Sequence, residues 1–150
     1  MKFIFLAIKE HPWGREMLSQ LLGAGFVPSL IIEEFSDGGK VEREKFEFRI
    51  GDHKVGSTIA SQSKEYDIPI VTVPIHNDEH CMAHIEKTDP DLIVFGGTRI
   101  IRGKILEFGE KKGGVLNSHP GLLPECRGSA SPAWSVYENI KIGSSCHFCT

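Results

Sequence analysis

Phe3-Ile4-Phe5-Leu6-Ala7-Ile8-Lys9-Glu10-His11-Pro12-Trp13-Gly14 is the stretch from which the fold can be read. Its apolar run, Phe3 to Ile8, is near-continuous, as in strands buried on both faces of a sheet. Pro12 suits the first position of a helix. Trp13, Met17, Leu18, Leu21 and Leu22 then recur at helical spacing until Gly23 or Gly25 ends the helix. Further strands are predicted over residues 27–32, 70–73, 92–95, 114–117 and 145–150. The helices between them are predicted from Ser57 as a cap to Tyr66, from Asn77 as a cap to about Thr88, over 104–108 and over 131–138. In the remaining segment, Asp37-Gly38-Gly39 is a turn signal. The alternation of Phe46, Phe48 and Ile50 with charged residues predicts a small hairpin there. Strands alternating with helices give βαβ units, an α/β fold with a mostly parallel sheet and helices on both faces. Ligands of such sheets sit at the carboxyl ends of the strands. That edge holds residues 96–102, residues 117–127 and the turn after Ile8.

With 150 residues the chain has the length of one domain. Its formal net charge is -3, with no basic excess to favour nucleic acid as a partner. Apolar residues make 40% and charged residues 25%, a globular composition rather than a disordered one. No apolar stretch approaches the ~20 residues that a membrane-spanning helix needs. Four cysteines in a chain of this size do not make a disulfide framework. The expectation is a cytoplasmic protein with no membrane partner.

The turn after the first strand lacks Gly-x-Gly-x-x-Gly; it has one glycine, a bulky Trp13, and Glu10 to repel a pyrophosphate. No Gly-Lys-Ser/Thr phosphate loop occurs either, which disfavours dinucleotide and ATP chemistry.

The chemistry concentrates in Gly114-Val115-Leu116-Asn117-Ser118-His119-Pro120-Gly121-Leu122-Leu123-Pro124-Glu125-Cys126-Arg127-Gly128. A strand that ends in Asn117-x-His119 points both side chains to the same side. An amide N–H there can donate to a carbonyl oxygen as it becomes an oxyanion. His119 can stabilise the same charge as a cation, or move a proton. By itself such a pair also fits a plain strand-end turn. The longer run Asn-x-His-Pro-Gly-Leu-Leu-Pro-x-x-Arg-Gly, however, resembles the signature of the folate-dependent formyltransferases. That group includes glycinamide ribonucleotide, methionyl-tRNA and nucleotide-sugar formyltransferases and the formyltetrahydrofolate hydrolases. The resemblance extends to Pro132-Ala133-Trp134, to Gly143-Ser144-Ser145-Cys146-His147 and to residues 90–101; before Pro90 it is topological only.

The resemblance implies a Rossmann-like sheet of formyltransferase type, with 10-formyltetrahydrofolate as co-substrate and a primary amine as formyl acceptor. It implies Asn117 and His119 as the catalytic pair. Gly97, Thr98, Arg99, Ile100 and Ile101 would form the folate loop, with His147 beside the centre. Arg99, Arg102, Lys104, Lys111 and Lys112 could attract the folate's glutamate tail. A small amine, such as an amino-sugar nucleotide, is favoured as acceptor, and the charge balance does not support tRNA. The runner-up readings are a non-catalytic folate- or nucleotide-binding module and the hydrolase. The family's third catalytic residue is an aspartate shortly after the Gly-x-Ser/Thr-x-His strand. Thr150 is reached before it, and Asp78, Asp89 and Asp91 do not match its place. The chain therefore reads as a formyltransferase catalytic domain over 1–150 that lacks its C-terminal end, with folate binding but little turnover expected.

Two other patterns compete. His76, His80 and His84 stand four residues apart and could ligate a metal, although no metal is expected. Cys146-His147-Phe148-Cys149 contains a Cys-x-x-Cys, but in a strand its cysteines would face opposite sides.

Overall fold

The computed structural model describes residues 1–149; Thr150, the expected end of the last strand, lies outside the described residues. One sheet of six strands carries the fold, in the order β3-β2-β1-β4-β5-β6. The strands are β1 (Phe3–Ile8), β2 (Leu30–Glu34), β3 (Ile70–Val73), β4 (Leu92–Phe95), β5 (Val115–His119) and β6 (Ser145–Phe148). The first five run parallel, and β6 pairs antiparallel with β5. The α/β expectation is thereby borne out.

β1, β2 and β4 are buried along their whole length. Period-two alternation then sorts their side chains into two cores. Ile4, Leu6, Ile32, Ile93 and Phe95 pack on one face with Ile85 of α4 (Glu79–Thr88) and Ile105 of α5 (Lys104–Glu110). Phe5, Ala7, Ile31 and Val94 pack on the other with Leu18 and Leu22 of α1 (Pro12–Gly23) and Ile59 of α3 (Ile59–Glu65). Each such aliphatic side chain taken fully out of water contributes about 1.5–3 kcal/mol.

From β1 the chain builds outward to β2 and β3, then crosses back to β4 on the other side and continues to β5. The order reverses between β1 and β4, and a crevice opens at their carboxyl ends. There the two strands stay bonded beyond their last residues, Ile8 N–H donating to Gly97 O at 3.0 Å. Gly96 lies so close that a Cβ would overlap the Phe5 ring.

The expected hairpin is a helix instead, α2 (Asp37–Ile50). Ser36 caps it by accepting from Gly39 N–H at 2.9 Å, and Lys40–Glu44 and Arg43–Glu47 pair one turn apart. Capping and helix-forming charged residues outweighed a three-residue alternation. Phe46 tilts onto the His11 ring at 4.8 Å between centroids, while Phe48 is exposed. Boundaries also move, among them the end of β5, which runs on to His119 rather than stopping at residue 117. β2 starts at Leu30 rather than residue 27; Thr58 rather than Ser57 caps α3; and Asp78 rather than Asn77 caps α4.

His11 caps α1, its Nδ1 accepting from Trp13 N–H at 3.2 Å. It is 7% exposed, and burial pushes the imidazole down to about 4, so it is neutral near pH 7. The unfolded chain takes up this proton near 6.5 and the folded chain only near 4. Stability must therefore fall as the pH drops through that window, by up to about 3 kcal/mol. His11→Asn keeps a capping oxygen but cannot titrate. Urea unfolding at pH 7 and pH 4.5 will show a flatter pH dependence in His11→Asn than in the parent; equal slopes would refute the assignment.

Candidate active site

The antiparallel β5–β6 pair places Asn117 opposite His147 and His119 opposite Ser145. Opposite residues of a ladder share a face, so these four side chains lie together on one side of the sheet. On β4, Phe95 pairs with Asn117, which brings the end of that strand and its Gly97 turn beside the pair.

The two histidines have defined partners. His147 Nδ1 lies 3.1 Å from Phe148 O, a carbonyl that can only accept, so Nδ1 carries the proton. Its Nε2 therefore accepts from Asn117 Nδ2 at 3.3 Å. That bond sets which way the carboxamide faces and leaves a second N–H on Asn117 to donate. His119 Nε2 lies 2.9 Å from Cys126 O and 3.2 Å from Ser131 Oγ. The segment between them is fastened to β6. Ser145 Oγ accepts from Leu123 N–H and donates to Gly121 O, each at 2.9 Å. Arg127 turns back on its own loop, Nε donating to Pro124 O at 3.0 Å.

The expected folate loop runs from Gly97, which has φ +78°, past Thr98, Arg99 and Ile100 to Ile101. Ile101 is packed into the core, whereas Ile100 is 70% exposed at the surface. Asn77 holds this loop from the side, Nδ2 donating to Ile100 O at 2.7 Å and Oδ1 accepting from Arg102 N–H at 2.9 Å. A cavity of about 480 Å³ opens against it, lined by Asn77, Met82, Arg102, Lys104 and Ile105 among others; neither Asn117 nor His119 lines it.

Arg99 reaches the other way, to Glu34 Oε1 at 3.4 Å. Glu34 is 1% exposed, and burial alone would raise its pKa. The facing His76 ring, with hydrogen bonds from Ser36 Oγ and His76 N–H, outweighs that and brings it down to about 2. His76 is fully buried, its Nε2 3.1 Å from Ile32 O and its Nδ1 3.3 Å from Glu34 Oε2. A charged carboxylate is thus sealed beneath the Arg99 end of the loop.

Some of these partners had no signal in the sequence. Ser131 and Glu34 are ordinary residues until the chain folds; Ser145 and Cys126 lay in the quoted stretches without a role of their own, and the Asn77 carboxamide, expected at a helix cap, went to a neighbouring loop. The histidine series does not converge. His76 is inside against Glu34 while His80 is 78% exposed beside Asp78. Among the described residues no three metal-ligating side chains come together. On β6, Cys146 is exposed, and Cys149 just beyond packs against the core, where burial pushes its thiol up. Both are free thiols, one at the surface and one turned toward the core. The turn after β1 is filled from within, Glu10 accepting from Ile59 N–H at 2.9 Å and Ala60 N–H at 3.1 Å.

No protein-family model matches the chain. A methionyl-tRNA formyltransferase of Syntrophus aciditrophicus (strain SB) is 34% identical over 89 residues, covering 57% of this chain and 27% of that protein. The chain thus spans little more than a quarter of that curated relative. Among solved structures, phosphoribosylglycinamide formyltransferase from Bacillus halodurans superposes with a TM-score of 0.67 at 18% identity, covering 99% of this chain and 72% of that one. A formyltetrahydrofolate deformylase from Pseudomonas syringae pv. tomato superposes with a TM-score of 0.66 at 17% identity, covering 99% of this chain and 46% of that one. At such identities the structures speak for the fold, and the sequence match adds the family signal. Sequence and fold together bear out the resemblance of this chain to the folate-dependent formyltransferases.

Proposed function

We propose that this chain binds 10-formyltetrahydrofolate and supplies the centre at which its formyl group passes to a primary amine. One observation carries the reading: Asn117 and His119 share a face of β5, and Asn117 pairs with Phe95, two residues before the Gly97 turn that opens the expected folate loop. The amine nitrogen adds to the formyl carbon, and the carbonyl electrons move onto oxygen. Asn117, held by His147, donates its free N–H to that oxyanion. The C–N bond to the folate then breaks, and the proton lost by the amine ends on the departing folate nitrogen, with His119 as its carrier. Gly97, Thr98 and Arg99 supply backbone groups to a pterin edge, and the exposed Ile100 supplies an apolar surface to its face.

The acceptor proposed is a small amine of the amino-sugar nucleotide type. The Glu10 carboxylate and the neutral, buried His11 occupy the turn after β1, which leaves that turn unsuited to a ribonucleotide phosphate. The net charge of -3 gives little pull on tRNA. Release of formate with water as acceptor would favour the hydrolase reading instead.

Two measurements test the proposal. Calorimetry with a 10-formyl-folate analogue should show binding to the 150-residue chain. Asn77→Ala should weaken that binding by about three- to tenfold through loss of the loop's anchor; no binding by the parent chain would end the reading. In the protein that carries this chain, Asn117→Ala should lower formyl transfer by about a hundredfold or more. Transfer that survives both Asn117→Ala and His119→Ala would sink the mechanism.

A further inference from the structure

His119 is held by two oxygens that bear no charge. Its Nε2 lies 2.9 Å from Cys126 O, which can only accept, so Nε2 carries a proton in the neutral ring. Ser131 Oγ stands 3.2 Å from the same nitrogen and donates its own proton to Gly128 O at 2.9 Å. Its lone pair is thus the part turned toward His119. Ser131 is fully buried, at the start of α6 (Ser131–Tyr137).

The surroundings leave little freedom. Cys126 is 3% and Ser135 is 1% exposed. The Cys126 thiol donates to Ser131 O at 3.2 Å and accepts from Ser135 Oγ at 3.3 Å. Gly121 makes the approach possible. A Cβ there would stand 2.7 Å from Cys126 O, 2.8 Å from Ser131 Cβ and 3.0 Å from His119 Nε2. The ring edge, the carbonyl and the serine meet where a side chain at position 121 would otherwise be.

We infer that Ser131, together with the Cys126 carbonyl and the space left by Gly121, is a positioning residue that keeps the neutral His119 ring in its Nε2–H form. Nδ1, with no hydrogen bond to the described residues, is then the nitrogen that takes up and returns the proton. This deepens the formyl-transfer reading and rests on it for its catalytic meaning; the ring geometry stands apart from it.

Ring 15N–1H NMR of the intact chain tests the inference, with His119 assigned by the loss of its signals in His119→Gln. The expected result is that the neutral form of the ring carries its proton on Nε2, whose N–H exchanges slowly with water. Ser131→Ala should speed that exchange by about three- to tenfold, and Ser131→Thr should restore it. A parent ring protonated on Nδ1 overturns the inference without recourse to any variant, as does unchanged exchange in a folded Ser131→Ala. In the protein that performs the transfer, Ser131→Ala should lower kcat by a similar factor and leave KM for the folate unchanged; a rise in KM alone would assign Ser131 to substrate binding and overturn the positioning role. NMR as expected with no transfer to any amine would count against the formyl-transfer reading only.

Discussion

β1 is hydrogen-bonded along both edges and buried on both faces, and the arrangement of the molecule follows from that double constraint. A strand with no face left for water must be apolar throughout, and parallel partners on each side require the chain to leave it and return by way of helices. β2 and β3 build on one side of it, β4 and β5 on the other, and the crevice falls where the two directions part. The close fit of Gly96 against Phe5 is the local form of the same constraint. The β4 backbone comes down onto the β1 side chains, and the loop that leaves β4 starts from a fixed point.

A second constraint makes that edge chemically useful. β6 runs against β5, so its first residues rather than its last arrive at the crevice. Ser145 and His147 therefore meet His119 and Asn117, and a parallel strand would have brought its C-terminal residues there instead. The loop from Gly121 to Leu123 is then bonded back to Ser145, so the segment connecting β5 to α6 is fastened at its middle as well as its ends.

β1 and β4 were legible because continuous burial leaves an unambiguous apolar run, and Asn117-x-His119 was legible because alternation along a strand fixes which side chains share a face. What escaped has physical causes of the opposite kind. Phe46, Phe48 and Ile50 alternate as in a strand, yet Phe46 packs on the His11 ring while Phe48 is exposed, and the segment is helical through capping and charge pairs along its surface. Asn77 suits a helix cap, but Asp78 took that place and freed the carboxamide to bridge two backbone groups of the loop after β4. Ser131 could not be read at all, because its importance lies in a contact across a gap that only the missing side chain of Gly121 leaves open.

The kind of partner given to each buried ionisable group separates support from chemistry. Glu34 is pinned as an anion, with Ser36, His76 and Arg99 all donating to it, and a group held so far from its usual range does not exchange protons near neutrality. His11 is pinned as a neutral ring by burial. His119 is treated differently. A carbonyl and a hydroxyl, neither with a formal charge, fix which nitrogen of the neutral ring bears the proton. A proton carrier needs a fixed orientation with one nitrogen left open. Among the described histidines at the crevice, His119 has it with Nδ1 unengaged, whereas both nitrogens of His147 are committed, one to Phe148 O and one to Asn117.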